Sequence, residues 1–299
     1  MADHAVDHNA AGWAIERVLV LGCGYAGVAL ARLARARGLE VLAHARSDAH
    51  VAALRGEGFA VLQRAVLDET IAAHVDERTH VVIAFPPDGS TDARIAPSLA
   101  AAAAVTYVSS TGVYGDVRGV IDDTTALPAP GALAAPLVDR SARLRAAEEI
   151  YRRARATVLR CPALYGPDRG LHMRILRGEH SIPGDGTRHL SRIHVDDLAQ
   201  LILALAPASG AARAERLAET FVVGDLAPAP HIDVVRFVCE TYGVPLPPFV
   251  PLESVHESLR ADRRVDASRA LDRAGITLRY PGFREGMAPA ATGLLVVSS

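Results

Sequence analysis

The chain has 299 residues, of which 50% are hydrophobic and 22% are charged, and its formal net charge is -2. This composition is typical of a soluble globular protein with a sizeable core. The small negative charge gives no electrostatic support for binding nucleic acid or anionic membranes. No apolar run approaches the ~20 residues that span a bilayer, and the first residues lack the basic-then-apolar pattern of a signal peptide. We therefore expect a cytoplasmic protein that binds neither a membrane nor nucleic acid.

Cysteine and lysine usage excludes several chemistries. The three cysteines are too few and too scattered for a disulfide framework or a zinc site. His4 and His8 lie on a polar segment without a third ligand, so we expect no metal. The sequence contains no lysine, and all 32 basic residues are arginine. Schiff bases and P-loop lysines are therefore excluded, and arginine, which stays protonated, cannot replace lysine as a base.

Short apolar segments alternate with helical segments along the chain. Strands are predicted over 18–21, 39–45, 59–63, 81–85, 105–109, 157–160 and 221–223. Helices are predicted over 28–37, 48–55, 93–104, 140–155, 195–205 and 231–242. Strands without polar alternation are typical of a sheet that is buried on both faces. The order predicts an α/β fold, a doubly wound parallel sheet with helices on both faces and a smaller C-terminal substrate lobe.

The loosening of this pattern after Pro162 predicts the domain organisation. We expect a dinucleotide-binding domain from residues 17–165 and 192–224, and a substrate lobe from residues 166–191 and 225–290. Residues 1–16 and 291–299 are expected to be tails. The proline-rich stretch 245–251 is expected to be an extended linker.

A glycine loop joins the first strand to the first helix. It reads Gly22-Cys23-Gly24-Tyr25-Ala26-Gly27, and the order strand, G-x-G-x-x-G, helix is the Rossmann dinucleotide-binding order. The first glycine permits a tight turn, the second lets the backbone approach a pyrophosphate, and the third lets helix and strand pack closely. The helix N-terminus offers free N–H groups to the phosphates. The alternative is a tight turn without a ligand.

The end of the second strand indicates which dinucleotide binds. NAD sites place an acid about 20 residues after the glycine loop, where this chain has Arg46 and Ser47. An arginine there fits the 2′-phosphate of NADP, so we expect NADP, with NAD still possible. The alternative is that Arg46 is a solvated loop charge. Phe85, Pro86, Ser109 and Pro162 stand at the ends of predicted strands and are expected beside the cofactor.

Three later segments carry a family resemblance. They are 108–115 (VSSTGVYG), 160–167 (RCPALYGP) and 192–199 (RIHVDDLA), and 279–286 (RYPGFREG) follows them. With the glycine loop they make the chain similar to the extended short-chain dehydrogenase/reductases, the NAD-dependent epimerase/dehydratase family. The loop departs from the usual G-x-x-G-x-x-G spacing, as in atypical members. The resemblance covers residues 18 to 287 and implies nicotinamide-dependent chemistry.

The chain lacks the pair of catalytic residues that the resemblance implies. Active family members carry Tyr-x-x-x-Lys at the start of the helix that here spans 140–155, where the tyrosine exchanges a proton with the substrate. The stretch 136–144 contains neither tyrosine nor lysine. Tyr151 and Arg155 have the same spacing but lie about three turns too late, so we interpret them as a surface pair.

Other side chains are candidates for the missing chemistry. Ser110 or Thr111 is expected to orient the substrate oxygen, unless these hydroxyls only cap a loop. Tyr114 is the nearest phenol, and Arg140 or Arg143 would supply the positive charge that lowers its pKa. The alternative is that the Tyr114 phenol packs beneath the nicotinamide site.

The remaining candidates face the expected substrate site. Tyr165 and Arg169 leave the sixth strand, and Arg169 would pair with an anionic substrate or remain a solvated charge. His194 is a substrate-site candidate, but we expect it to hydrogen-bond within the core rather than to act as an acid or base. Asp196 and Asp197 are expected to cap the following helix.

The sequence therefore favours an NADP-dependent oxidoreductase or epimerase that acts on a small hydroxyl- or carbonyl-bearing metabolite. Its proton donor would be non-standard, either Tyr114 or water. The alternatives are a non-catalytic NADP-binding sensor, or a non-redox lyase or isomerase with a structural cofactor. The protein is expected to be a monomer or a homodimer.

Overall fold

The computed structural model describes residues 15–129, 137–206, 218–256 and 259–289. Its strands are β1 Arg17–Leu21, β2 Glu40–Ala45, β3 Ala60–Gln63, β4 Thr79–Ile83, β5 Ala104–Ser110, β6 Gly119–Ile121, β7 Thr157–Cys161, β8 Ala163–Tyr165, β9 Ile182–Pro183, β10 Arg192–His194, β11 Thr220–Val222, β12 Phe249–Val250 and β13 Arg263–Val265. Its α-helices are α1 Tyr25–Ala36, α2 Asp48–Gly56, α3 Thr91–Ile95, α4 Leu137–Arg153, α5 Leu171–Leu176, α6 Val195–Ala204, α7 His231–Tyr242, α8 Ser268–Ala274 and α9 Phe283–Met287.

A seven-stranded sheet forms the centre of the molecule. Its strand order is β11-β7-β5-β4-β1-β2-β3, and every neighbouring pair is parallel. The chain runs outward from β1 to β3 and then returns to place β4 on the other side of β1. This reversal beside β1 creates a crevice at the carboxyl edge, where open α/β sheets bind ligands. The predicted doubly wound α/β fold is confirmed.

Alternate residues of the central strand face opposite apolar layers. Val18 and Val20 pack with residues of α1, α2 and α6, whereas Leu19 and Leu21 pack with residues of α3 and α4. These four side chains of β1 are fully buried. Burial on both faces explains why this strand has no polar alternation in its sequence.

The alanine-rich segment differs from its predicted helix over 93–104. The structure has the short helix α3, then a 3-10 turn over Ala96–Leu99, and β5 already begins at Ala104. Pro97 has no N–H group to donate and so interrupts the helix. The alanine content alone therefore predicts a longer helix than the structure contains.

A smaller apolar cluster lies outside the main sheet. Tyr165, Ile175, Ile182 and Phe283 pack there with the buried face of α7. The stretch 245–251 is not only a linker, because Phe249 and Val250 pair with β9. Within the range assigned to the substrate lobe, α8 packs on α6 and β11 of the main domain.

Some expectations fall on residues that the structure does not describe. His4 and His8 and most of the two expected tails lie outside the described residues. Within the described ranges, no helix has the length and apolarity needed to cross a membrane. In those ranges, too, no cluster of histidine, cysteine and acidic side chains is arranged to hold a metal ion.

Candidate active site

The glycine loop has the geometry that its three glycines predict. Gly22 has a φ of +82°, and a Cβ there would lie 2.8 Å from the Cβ of Phe85. A Cβ on Gly27 would lie 2.9 Å from the Cγ1 of Val20, so this glycine lets α1 pack closely on β1. A Cβ on Gly24 would meet no atom within 4 Å. The protein thus crowds the first and third glycines and leaves open space at the second, where a pyrophosphate would approach.

Buried histidine and backbone groups of β2 hold this loop in place. The N–H of Cys23 donates to the carbonyl of His44 at 2.9 Å, and the N–H of Gly22 donates to Nδ1 of His44 at 3.2 Å. Nε2 of His44 lies 3.0 Å from the carbonyl of Arg64 and therefore carries the proton. Burial lowers the pKa of His44, which keeps the ring neutral in this arrangement.

The N-terminus of α1 is suited to an anion. Gly24 precedes the helix without a side-chain cap, and the first turn contains no acidic residue. The first N–H groups of a helix have no partner within the helix and carry a partial positive charge. The residues present therefore fit the phosphates of a dinucleotide.

A cleft of about 680 Å³, which we call the cofactor cleft, opens beside the loop. Gly22, Cys23, Gly24, Arg46, Ser47, Phe85 and Pro86 are among its lining residues. Arg46 is exposed just after β2, and no acid occupies the end of that strand. Ser47 is the N-cap of α2 and accepts a hydrogen bond from the N–H of His50 at 3.4 Å.

Three of the residues that were expected at the cofactor are also constrained by burial or by contacts with other parts of the protein. Burial raises the pKa of the Cys23 thiol to about 12, so it stays protonated and unreactive. The Tyr25 hydroxyl lies against Gly166, and the Arg169 guanidinium stacks 5.0 Å from the centre of the Tyr25 ring. Ser109 is buried and donates its hydroxyl proton to Glu148 at 2.7 Å, so that hydroxyl already has a partner. Ala26 follows Tyr25 in the first turn of α1.

A second cleft of about 550 Å³, which we call the substrate cleft, is lined by the segments that follow β5, β7 and β8. Ser110, Thr111, Arg140, Pro162, Tyr165 and Arg169 are among its lining residues. The Ser110 hydroxyl accepts a hydrogen bond from the N–H of Gly112 at 3.1 Å and caps the 3-10 turn Thr111–Tyr114. Capping and the expected substrate contact are therefore compatible at this residue.

The Tyr114 phenol is buried away from the substrate cleft. Its hydroxyl donates to the carbonyl of Asp122 at 3.0 Å and accepts a hydrogen bond from Nη1 of Arg160 at 2.9 Å. Burial raises the pKa of Tyr114 even though the Arg160 guanidinium opposes this effect. Arg160 in turn forms a buried ion pair with Glu148 at 2.7 Å. This geometry contradicts the expectation of a cleft-facing phenol with a lowered pKa and agrees with the packing alternative.

The two arginines predicted on α4 differ in position. Arg140 lines the substrate cleft, and its Nε would lie 3.2 Å from a Cβ on Gly112. Arg143 is exposed and is absent from the lining of that cleft. Of these two arginines, Arg140 is therefore the one that is placed to act on a molecule in the cleft.

His194 and Asp197 have structural partners that the sequence did not reveal. Nδ1 of His194 accepts from the N–H of Asp196 at 3.2 Å, so the histidine itself caps α6. The His194 ring is buried 3.7 Å from the ring of Tyr280, which favours the core-histidine interpretation over a substrate contact. The carboxylate of Asp197 accepts from the N–H groups of Arg279 and Tyr280 at 2.7 and 2.9 Å. It therefore anchors a distant segment, whereas the sequence predicted a helix cap.

Sequence reasoning missed several residues of the substrate cleft. Arg174, Arg177, Arg192, His231 and Arg263 also line it. Arg192 was visible inside the Arg-Ile-His segment, but its position in the cleft depends on the pairing of β10 with β8. No local signal in the sequence predicts that pairing.

Comparisons with known proteins agree with this architecture. The model of the NAD dependent epimerase/dehydratase family matches residues 18–224. A comparison with curated protein sequences finds no match.

Among solved structures, a functionally unknown conserved protein from Silicibacter pomeroyi is 26% identical with a TM-score of 0.74, and the match covers 91% of this chain and 96% of that one. UDP-glucuronic acid 4-epimerase from Bacillus cereus in complex with NAD is 15% identical with a TM-score of 0.70, over 91% and 96% of the two chains. A human epimerase family protein with NADPH is 17% identical with a TM-score of 0.63, over 91% and 97%. The family match spans more than half of the sequence, and the chain therefore belongs to the NAD dependent epimerase/dehydratase family.

Proposed function

We propose that this protein is an NADP-dependent oxidoreductase or epimerase that acts on a small hydroxyl- or carbonyl-bearing metabolite. The observation that carries the proposal is the glycine loop, in which Gly24 faces open space at an uncapped helix N-terminus. Family membership supports nicotinamide chemistry at this place. The cofactor would supply or accept a hydride, and the substrate would occupy the adjacent substrate cleft.

Arg46 supports the choice of NADP. The guanidinium is exposed at the rim of the cofactor cleft, and Ser47 lies beside it. An arginine binds a phosphate through two parallel hydrogen bonds. We expect Arg46→Gln to weaken NADPH binding by roughly tenfold, about 1.4 kcal/mol, and to leave NADH binding unchanged. Arg55→Gln, in the last turn of α2, is the matched control and should change neither.

The proton chemistry uses side chains other than the usual pair. The hydroxyl of Thr111 or Ser110 would orient the substrate oxygen, and the Arg140 guanidinium would stabilise negative charge that develops on it. Since Tyr114 is buried and doubly hydrogen-bonded, water in the cleft is the proton donor of this proposal.

The test is turnover by the full chain with NADPH and a panel of small aldehydes and ketones. We expect absorbance loss from NADPH oxidation with at least one member. Thr111→Val should lower kcat by roughly 10²-fold, in the range for loss of one hydrogen-bond donor to a developing oxyanion. Equal rates for Thr111→Val and the wild type would remove Thr111 from the mechanism.

One observation favours a second candidate, an NADP-binding sensor without catalysis. In the described part of α4 and the substrate cleft no lysine occurs, and the phenols of Tyr165 in the cleft lining and of Tyr114 nearby are both buried. A sensor would bind NADPH and NADP⁺ with different affinities and reduce no member of the panel. An oxidoreductase would oxidise NADPH with at least one member, whereas an epimerase, which regenerates its cofactor in each cycle, would convert a hydroxyl-bearing substrate to its epimer without net NADPH oxidation.

A further inference from the structure

The lining of the substrate cleft is unbalanced in charge. Among the described residues, a single acidic side chain lines it, that of Asp168. Six arginines line it as well, namely Arg140, Arg169, Arg174, Arg177, Arg192 and Arg263. Since the whole chain has a net charge of -2, this excess is local. A concave site with one sign of charge concentrates ligands of the opposite sign.

Arg192 is the exceptional member of this set. It is the first residue of β10, only 4% of its surface is exposed, and it lines the cleft. Among the described residues its buried Nη1 has no hydrogen-bond partner, and the guanidinium lies 5.5 Å from the centre of the Phe283 ring. Burying a charged donor without an acceptor is costly, and buried polar groups in native proteins almost always have partners.

Two other buried arginines show how this fold satisfies a guanidinium. Arg160 forms a two-pronged ion pair with Glu148 and a hydrogen bond to Tyr114. Arg263 donates to the backbone carbonyls of Val117, Thr111 and Gly115. Arg192 has no equivalent set of acceptors within the described ranges, so its guanidinium is the one that an incoming anion would satisfy.

Asp225 does not supply the hydrogen-bond acceptor that Arg192 lacks. Its N–H donates to the carbonyl of Arg192 at 2.7 Å, so the two residues are close. Neither carboxylate oxygen of Asp225 accepts a hydrogen bond from the Arg192 guanidinium in the described part of the chain, and the backbone N–H of Ala227 is the group that interacts with this carboxylate. Burial raises the pKa of Asp225 to about 6 against the opposing effect of Arg192. Asp225 therefore offsets the charge of Arg192 only at a distance and leaves its Nη1 donor unused.

We infer that the substrate carries a carboxylate or a phosphate and that Arg192 binds this group inside the substrate cleft. The inference rests on the proposed function, because it names the class of substrate for the same site. A guanidinium recognises both groups through two parallel hydrogen bonds. Ser110 and Thr111 line the same cleft, so the substrate combines an anionic group with a separate reacting hydroxyl or carbonyl.

The test is calorimetric titration of the NADP⁺-saturated full chain with malonate and with inorganic phosphate. We expect saturable binding of at least one probe, and the stronger one identifies the substrate's anionic group. Arg192→Gln should weaken it by roughly tenfold or more, as for loss of a hydrogen bond to a charged group. Arg264→Gln is the control, because Arg264 is an exposed arginine on β13 outside the cleft. This substitution should leave the affinity for both anions unchanged.

A neutral probe keeps the inference testable if Arg192→Gln fails to fold. Malonamide matches malonate in size and lacks its charge, so it should not bind to the wild type. The inference is overturned if neither anion binds, if malonamide binds as well as malonate, or if a folded Arg192→Gln variant binds as tightly as Arg264→Gln.

A separate titration with NADPH tests the proposed function independently of the anion site. If NADPH fails to bind while the anion still binds in an Arg192-dependent way, the proposed function is wrong and the anion site remains. If NADPH binds and neither anion does, the cofactor assignment remains and the substrate class is wrong.

Discussion

The backbone N–H of Gly22 donates a hydrogen bond to Nδ1 of His44 at 3.2 Å. This bond ties the first glycine of the loop to a buried side chain of the neighbouring strand β2. The other ring nitrogen of His44 lies 3.0 Å from the carbonyl of Arg64, so one neutral imidazole connects the loop to the segment after β3. The shape of the cofactor cleft therefore depends on a buried histidine that also lines the cleft.

Replacing this histidine should disturb both stability and cofactor binding. His44→Leu leaves the N–H of Gly22 and the carbonyl of Arg64 without their side-chain partner, which should cost about 1–3 kcal/mol of unfolding free energy. NADPH should bind roughly tenfold more weakly because the loop is less well ordered. Urea unfolding and calorimetry measure the two effects. His74→Ala, away from the cofactor cleft, serves as the control, and equal NADPH affinity in both variants would contradict the prediction.

The first and second glycines of the loop predict opposite outcomes for alanine. Gly24→Ala adds a methyl group where no protein atom lies within 4 Å, so folding should be unchanged while the dinucleotide is displaced. Gly22→Ala meets the Cβ of Phe85 at 2.8 Å with a φ of +82°, so it should destabilise the fold by about 1–3 kcal/mol. Thermal unfolding without ligand separates the two variants. Unchanged NADPH affinity in Gly24→Ala would show that the ligand does not approach this glycine.

Tyr114 should matter for stability and not for chemistry. Tyr114→Phe removes hydrogen bonds to Asp122 and Arg160, which should cost about 1–3 kcal/mol of unfolding free energy. Turnover of a folded variant should stay close to that of the wild type. A kcat lower by about 10²–10⁴ would instead identify the phenol as the proton donor.

The ion pair beneath the site should be among the most sensitive positions of the fold. Glu148→Gln leaves the buried Arg160 guanidinium without its carboxylate, with an expected loss of about 3–5 kcal/mol. Glu149→Gln removes exposed pairs with Arg152 and Arg153 on the same helix and should cost less than about 1 kcal/mol. Chemical unfolding measures the free energy of unfolding of both variants. Similar losses in the two would contradict the burial of the ion pair between Arg160 and Glu148.

Buried histidines predict acid sensitivity. Burial lowers the pKa of His80 from 6.5 to about 4, so the unfolded chain binds this proton more readily than the folded one. The contribution of neutral His80 to the free energy of unfolding is then fully present above pH 6.5. It decreases by roughly 3 kcal/mol as the pH falls toward 4. His180, His194 and His231 act in the same direction. His80→Gln should reduce the slope of stability against pH in that interval, and an unchanged slope would contradict the prediction.

The sequence predicted those parts of the molecule that depend on local pattern. The apolar run of β1, the glycines and the uncapped start of α1 all lie within a few residues of one another. The sequence left a functional and a structural role open for Tyr114 and His194, because their partners, Arg160 and Tyr280, are 46 and 86 residues away and no local pattern predicts those contacts. Arg192 was missed for the same reason, since its burial is set by the pairing of β10 with β8.

The most direct test of the proposed function is calorimetric titration of the purified full chain with NADPH and NADH. We expect one saturable site per chain, with NADPH bound more tightly than NADH because Arg46 meets the additional phosphate. If neither dinucleotide gives a saturable binding heat at millimolar concentration, the proposed function is wrong.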